Sequence, residues 1–269
     1  MKLTDLIDEY MGRGKSTFTK GEALEDSGLS ESAFYKASAR IQEKSWLFQP
    51  RRGFFVIVRP EDRKMGAPPA NEFIDYLMEY LDEPYYVGVL SAARIHGAAH
   101  QAPQVFQVVV GKTLQDIEKG RSPIRFIENK MMDEVPVEQK KVRSGYIRVS
   151  TPEATAVDVV YYRKHAAGLD NVANILIELA DKLDPVKLFE AAVRMHGMAT
   201  VQRLGFILDK YGFKRLSNPL EAWVRSQKVS RVPLLPSGER VGVHHDKRWH
   251  VLVNRELDPD IGRLHRDDS

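Results

Sequence analysis

The stretch FTKGEALEDSGLSESAFYKASARIQEKSW, residues 18–46, decides the expected fold of the first part of the chain. Thr19 can cap a short helix, and Gly28 can supply the turn that follows it. Ser30 can then cap a second helix that runs to about Lys44. Two helices joined by a short turn that contains glycine are typical of a helix-turn-helix unit, whose second helix can lie in the major groove of DNA.

The second helix of this stretch has two different faces. Phe34, Ala37 and Ile41 recur at helical spacing and are expected to be buried. The opposite face carries hydroxyl, aromatic and basic side chains, which are Ser32, Tyr35, Lys36 and Arg40. Such a face suits contact with the bases and phosphates of double-stranded DNA, so we expect these side chains to bind it.

The flanking sequence predicts a winged domain over residues 1–60. Upstream, apolar residues recur from Leu3 to Tyr10 at the spacing of an amphipathic helix. Downstream, WLFQ and FFVIV are short β-rich runs around the turn PRRG, so a hairpin is expected. Arg51 and Arg52 lie in this turn, where guanidinium groups can reach phosphates or a minor groove. The alternative is a three-helix bundle whose hairpin serves only protein contacts.

The rest of the chain predicts an α+β protein with a second, larger domain. PEDRKMGAPPA combines charges, glycine and proline without periodicity, so residues 61–70 are expected to be a linker. Residues 71–269 then form a mixed domain whose parts we expect to be a small α/β region, a mainly helical region, terminal strands and a tail, at 71–150, 151–227, 228–255 and 256–269. In the first part, VFQVVVG, PIRFIE and GYIRVS predict strands, and YYVGVLSAARIHGA predicts a helix.

Composition limits the class of protein. The 269 residues are 43% hydrophobic and 29% charged with a net charge of +3, which is typical of a folded chain. The apolar runs are far shorter than the roughly 20 residues of a membrane-spanning helix, and the N-terminus has no signal-peptide pattern. Because the chain has no cysteine, disulfides and cysteine-based metal sites are excluded. We therefore expect a cytoplasmic protein with no membrane partner.

A second basic stretch lies between residues 201 and 255, where Lys and Arg clearly outnumber Asp and Glu. The members that define it are Arg203, Lys210, Lys214, Arg215, Lys247 and Arg248. A second basic surface would extend the contact with DNA or would bind RNA. The alternative is a solvated face without a ligand.

Enzymatic motifs are not found. The sequence has no GxSxG, no GxxxxGK[ST] and no HExxH, so we expect no catalytic residues and no cofactor. His244, His245, Asp246 and His250 form a cluster of metal-capable residues. A basic, partly exposed strand explains this cluster better than a metal site, so we expect no metal. A metal-dependent nuclease or hydrolase built on these histidines is the enzymatic alternative.

Other histidines and the tryptophans are assigned to structure. His96 and His196 each precede a glycine at a predicted helix end, where an imidazolium can interact with exposed carbonyl groups. Trp46, Trp223 and Trp249 are expected to pack, because none lies in a basic strand with several aromatic residues.

Several segments, taken in order, resemble the AbiEi family. They are the winged helix-turn-helix, then YYVGVLSAARIHG, TPEATAVDVV, GLDNVANILIELA and, near the end, KRWHVLVN. The resemblance spans most of the chain. Members of this family are antitoxins and transcriptional regulators that are encoded beside a nucleotidyltransferase-type toxin in bacterial phage-defence operons, which act by abortive infection.

The resemblance implies a function for each domain. It implies that the N-terminal domain binds the operon's own promoter and represses it, and that the larger domain neutralises a nucleotidyltransferase-like toxin. This neutralisation is of type IV, which need not involve a tight complex between toxin and antitoxin. The alternative is a transcriptional regulator whose C-terminal domain senses a ligand or a partner and which has no toxin to oppose.

Overall fold

The computed structural model describes residues 1–98, 104–120 and 123–259. Within these ranges the chain is a mixed α+β protein with helices and three small sheets, which confirms the expected class. Packing divides it into two compact units. Unit 1 contains Met1–Tyr86, Gln104–Lys130 and Gln139–Arg148, and unit 2 contains the described parts of Val87–Pro103, Met131–Glu138 and Val149–Ser269.

Unit 1 begins with three helices and three strands. In chain order they are α1 (Leu3–Gly12), β1 (Thr17–Thr19), α2 (Lys20–Ser27), α3 (Glu31–Glu43), β2 (Leu47–Arg51) and β3 (Phe54–Ile57). The strands form an antiparallel sheet in the order β1-β3-β2. The helices and the hairpin lie where the sequence predicts them, and β1 is an addition.

Local hydrogen bonds set the ends of α2 and α3 as predicted. The Thr19 hydroxyl accepts from the Glu22 amide at 3.2 Å, and the Glu22 carboxylate accepts from the Thr19 amide at 2.6 Å, which is a capping box. Gly28 follows α2 with a φ of 69°, in the left-handed region that glycine adopts without strain. The Ser30 hydroxyl accepts from the amide of Ala33 at 3.3 Å and starts α3.

An apolar core fixes the inner face of α3. Its members are Leu3, Leu6, Ile7, Tyr10, Phe18, Ala23, Phe34, Ile41, Leu47, Phe55 and Ile57. The ring of Phe55 contacts those of Phe18 and Phe34, each at a centroid distance of 5.3 Å. Because truncation of a buried ring to alanine costs about 3–5 kcal/mol, these contacts hold one face of α3 inward and leave the other to solvent.

A five-stranded sheet follows α4 (Ile74–Tyr80). Its strands are β4 (Tyr85–Val87), β5 (Phe106–Val110), β6 (Ile124–Glu128), β7 (Val137–Val142) and β8 (Gly145–Ser150), in the order β6-β5-β4-β8-β7. Strands β5 and β6 pair in parallel, as do β4 and β8. The strands expected from VFQVVVG, PIRFIE and GYIRVS are therefore confirmed.

Two strands differ from the sequence prediction. Tyr85–Val87 is not the start of a helix: all three side chains are buried in β4, and the helix begins only after Gly88. Consecutive aromatic and β-branched residues favour a strand. An apolar run as short as this one is compatible with both a strand and a helix, so periodicity alone could not decide between them. The other is β7, whose sequence VEQKKV is too polar to be recognised. It lies at an edge of the sheet, where charged residues protect against unwanted pairing.

The segment expected to be a linker is folded. A 3₁₀ helix runs over Pro60–Met65, and Ala67 and Ala70 are buried. Arg143 forms ion pairs with Glu61, Asp62 and Glu72 at 2.7, 3.0 and 2.6 Å. Residues 61–70 are thus part of unit 1, and packing divides the chain near residue 86 instead.

Unit 2 is mainly helical, as expected for residues 151–227. Its helices are α5 (Val89–Ile95), α6 (Pro152–Tyr161), α7 (Leu169–Leu179), α8 (Pro185–Arg194), α9 (Met198–Lys210) and α10 (Lys214–Ser226). A small sheet of β9 (Val232–Pro233), β10 (His244–Asp246) and β11 (Val251–Val253) follows in the order β10-β11-β9. Most of the expected tail, residues 260–269, lies outside the described residues. No helix in the described ranges is long and apolar enough to cross a membrane.

Candidate nucleic-acid interface

The outer face of α3 presents most of the residues predicted to bind DNA. Ser32, Lys36 and Arg40 are exposed. Tyr35 is half-buried, because its ring lies 5.8 Å from that of Phe34 at the edge of the core. The structure therefore brings three of the four predicted α3 residues to solvent and uses the fourth partly for packing.

Two positive charges on this face have no counter-charge in the described chain. Lys36 and Arg40 form no ion pair there. A neighbouring cation, Lys20, is already paired with Glu31 at 3.0 Å, and the hydrogen bond to this carboxylate raises the pKa of Lys20. The basic charge available to an anionic polymer is thus concentrated on one side of α3.

The two arginines predicted to bind DNA at the tip of the β2–β3 hairpin lie in different environments. Arg52 is exposed. Arg51 is half-buried: its Nη2 donates to the carbonyl of Gln115, and its guanidinium lies 5.7 Å from the ring centroid of Phe126. Burial lowers the pKa of Arg51. Only Arg52 therefore presents its full guanidinium to solvent at this tip.

Contacts with α4 explain why the hairpin tip is not free. The hydroxyl of Tyr80 donates to the carbonyl of Arg52 at 3.0 Å. A Cβ at Gly53 would lie 2.7 Å from the same hydroxyl oxygen, and the rings of Phe54 and Tyr80 are 5.3 Å apart. The sequence does not reveal these contacts, because they join residues more than twenty positions apart.

The second basic stretch is largely committed to contacts within unit 2. Arg203 donates to the carbonyl oxygens of Pro233 and Ala199, and Arg215 donates to that of Leu183 at 3.1 Å. The other two engaged residues are Lys214 and Arg248, which both bind Asp209. Lys210 and Lys247 remain exposed, without an ion pair in the described chain. The six residues thus do not form one uncompensated surface.

Asp209 joins several of these side chains, and the sequence did not single it out. Its carboxylate accepts from Lys214 at 2.6 Å and from Ser217 at 3.0 Å through Oδ1. Its Oδ2 accepts from Trp249 Nε1 at 3.3 Å and lies 3.3 Å from Arg248 Nε. Burial alone raises the pKa of this carboxyl, but these hydrogen bonds and the charge of Arg248 hold it below its usual value.

The histidines near the C-terminal strands take structural positions. The Asp246 carboxylate accepts from the amide of Trp249 at 2.7 Å and stabilises the turn between β10 and β11. The rings of His245 and His250 are 5.9 Å apart, and burial lowers the pKa of His245. Within the described ranges, no group of three or more metal-capable side chains is close enough to hold an ion.

His96 and His196 lie deeper in unit 2 than expected. Nε2 of His96 is 2.7 Å from the carbonyl of Ser150. Nε2 of His196 is 2.8 Å from Oδ1 of the buried Asp158, and its ring stacks on that of Tyr161 at 3.9 Å. Both histidines therefore contribute hydrogen bonds to the interior, which is a more specific role than neutralising the carbonyl groups of a helix end.

A comparison with solved structures identifies the fold. The chain is similar to the crystal structure of the RV2827C protein from Mycobacterium tuberculosis, with a TM-score of 0.63 and 14% sequence identity. The similarity covers 91% of this chain and 89% of the other, so it concerns the whole mixed α+β architecture. No curated protein sequence matches this chain.

A comparison with family models finds one match within the chain. Residues 86–210, from β4 to the end of α9, match an antitoxin domain, which supports a role in a toxin–antitoxin system. The family is that of the AbiEi antitoxin C-terminal domain, so the resemblance to AbiEi antitoxins is confirmed over this stretch. KRWHVLVN lies beyond the matched residues.

Proposed function

We propose that this chain is a DNA-binding antitoxin of a type IV system that represses its own promoter and neutralises a nucleotidyltransferase-like toxin. The observation that carries the DNA-binding part is the element order α1-β1-α2-α3-β2-β3 with the sheet order β1-β3-β2. This order supports a winged helix-turn-helix, and in the proposal α3 is the recognition helix and the β2–β3 hairpin is the wing.

The exposed residues of α3 and of the wing define the contacts that we propose. Ser32 and Tyr35 lie towards the start of α3, where recognition helices meet base edges. Lys36, Arg40 and Arg52 bind phosphates, since their charges are solvent-exposed and uncompensated in the described chain. Arg51 instead holds the wing in place through Gln115.

Antitoxicity is assigned to the larger C-terminal region, because the antitoxin-family match covers residues 86–210. The DNA-binding residues on α3 and the wing all precede this range. The two activities should therefore be separable by mutation. This separation gives the proposal its test.

The experiment uses the gene beside this one, which we expect to encode a nucleotidyltransferase-like toxin. Cells carry the toxin together with the wild-type chain, with a Lys36→Ala/Arg40→Ala/Arg52→Ala variant, or with Lys64→Ala, an exposed cation outside the proposed interface, as control. The triple variant should lose repression of a promoter reporter and keep rescue from the toxin, whereas the control keeps both. Loss of rescue with repression retained would contradict the assignment. If the adjacent gene product is harmless, the antitoxin part of the proposal is wrong.

A further inference from the structure

A cavity of about 370 Å³ opens in unit 2 where the chain passes from α6 to α7. Two basic residues, Arg163 and Lys164, form one side of its lining. Leu235, Pro236 and Ser237 form another side. The volume lies in the range of small-molecule sites, and the combination of a few charged groups with an apolar wall is typical of them. Among the residues that the structure describes, no carboxylate lines the cavity.

The positive charge beside this cavity has no anionic partner in the described chain. Arg163 and Lys164 form no ion pair there, and burial lowers the pKa of Arg163. Arg203 adds a further cation: burial and then the charge of Arg163 lower its pKa to about 10. Within the described ranges its guanidinium donates to two carbonyl oxygens, those of Pro233 and Ala199 at 3.0 and 3.3 Å. Like charges held this close repel, and a bound anion would relieve the repulsion.

The N-terminus of α7 adds a positive electrostatic potential to this side of the cavity, which favours a bound anion. Gly168 precedes α7, and no side chain caps the first amides of this 11-residue helix. Helix N-termini stabilise negative charge. Asp170, the acidic residue in the first turn of α7, is engaged elsewhere: it pairs with Arg255 at 2.7 Å and accepts from the amide of Asp258 at 3.0 Å.

We propose that this cavity binds the phosphate group of a small ligand, held by Arg163 and Lys164 beside the start of α7. Leu235 and Pro236 cover the apolar remainder of a phosphate ester. The phosphate comes either from free phosphate or from an ester of nucleotide size. Lys164 is exposed, so its ammonium group can reach a ligand in the cavity without rearrangement of the helices.

Calorimetric titration of the full chain with inorganic phosphate, AMP and adenosine tests this proposal. At least one of the two phosphate compounds should bind saturably, and adenosine should not bind. Tighter binding of AMP than of phosphate would identify an ester as the ligand, and equal binding would identify free phosphate. No saturable binding of either compound, or adenosine binding as tightly as AMP, would overturn the proposal.

Three variants connect the binding to the cavity. Lys164→Glu at an exposed position and Arg163→Ala should each weaken binding at least about tenfold, the loss expected for a charge-assisted hydrogen bond. Arg194→Ala, an exposed cation on α8 outside the cavity lining, should leave affinity within about twofold. The unfolding temperature of each variant without ligand shows whether it is folded. If Arg163→Ala does not fold, Lys164→Glu still tests the proposal.

Two further outcomes would contradict the cavity as the site. One is AMP or phosphate binding that Lys164→Glu leaves unchanged. The other is binding of a ten-nucleotide RNA without binding of AMP or phosphate, because that result would require an extended backbone. None of these outcomes bears on the DNA-binding proposal, whose residues lie in unit 1.

Discussion

The indole ring of Trp249 lies so close to Gly205 that any side chain at position 205 would overlap with it. Trp249 is completely buried, and its Nε1 donates to Asp209, one turn further along α9. Gly205 and Asp209, four positions apart on α9, therefore hold this ring: Gly205 leaves the space for it, and Asp209 accepts its hydrogen bond. The segment KRWHVLVN thereby packs on α9, the last helix of the matched antitoxin domain.

Gly205→Ala should destabilise the chain. The added methyl group overlaps with a buried ring, and overpacking of a core usually costs about 1–3 kcal/mol. Gly21→Ala in α2 is the matched control, since its Cβ would meet only the Thr19 hydroxyl oxygen at 3.8 Å. Replacement of a helical glycine there should keep or raise stability by up to about 1 kcal/mol. Urea unfolding followed by circular dichroism measures both, and equal stability of the two variants would contradict the packing described.

Asp209→Asn should make the chain less stable at neutral pH but not at low pH. Because hydrogen bonds from Lys214, Ser217 and Trp249 help to hold the folded pKa of Asp209 below its usual value of 3.8, the charged form stabilises the native state above that value. This contribution is lost as the pH falls from about 4 through the folded pKa. The difference in unfolding free energy between wild type and variant, measured from pH 7 to pH 3, should shrink. A constant difference would exclude the charge as its cause.

Features set by neighbouring residues were predictable from the sequence. The ends of α2 and α3 follow from Thr19, Gly28 and Ser30, because capping is decided within a few positions. The strand Tyr85–Val87 was not predictable in this way, because a strand forms here only through pairing with residues that are distant in the sequence.

The candidate site shows the same division. Lys36 and Arg40 could be placed on an exposed face by helical spacing alone. Arg51 and Arg52 are adjacent in sequence and look equivalent, and only the contact of Arg51 with Gln115, 64 positions later, separates their roles. Asp209 has no signal in its own neighbourhood, because four of its partners lie 5 to 40 positions away.

Arg51 and Arg52 should respond differently to substitution. Arg52→Ala removes an exposed guanidinium at the wing tip and should weaken binding to the promoter about fivefold or more at fixed salt, with unchanged unfolding temperature. Arg51→Ala removes a contact with Gln115 and should lower the unfolding temperature, with a smaller direct effect on affinity. Fluorescence anisotropy and thermal unfolding check the two effects. The reverse pattern would place Arg51, and not Arg52, at the DNA.

The salt dependence of promoter binding should report the phosphate contacts. Each cation that neutralises a phosphate adds about 0.9 to the slope of log affinity against log salt concentration. Arg40→Ala should therefore reduce the slope by about 1, whereas Lys64→Ala should leave it unchanged. Titrations between 50 and 200 mM salt, over which three phosphate contacts should change the affinity by about fortyfold, give the slope. An unchanged slope in Arg40→Ala would show that this residue does not contact a phosphate.

The most direct test of the central claim is the affinity of the full chain for a duplex of its own promoter, compared between wild type, Lys36→Ala/Arg40→Ala and Lys64→Ala at one salt concentration. If α3 lies against the DNA, the double variant should bind the promoter at least about thirtyfold more weakly than wild type and should lose a similar factor on an unrelated duplex, because both residues contact phosphates, and Lys64→Ala should bind normally. Equal affinity of the folded double variant and wild type would contradict the account.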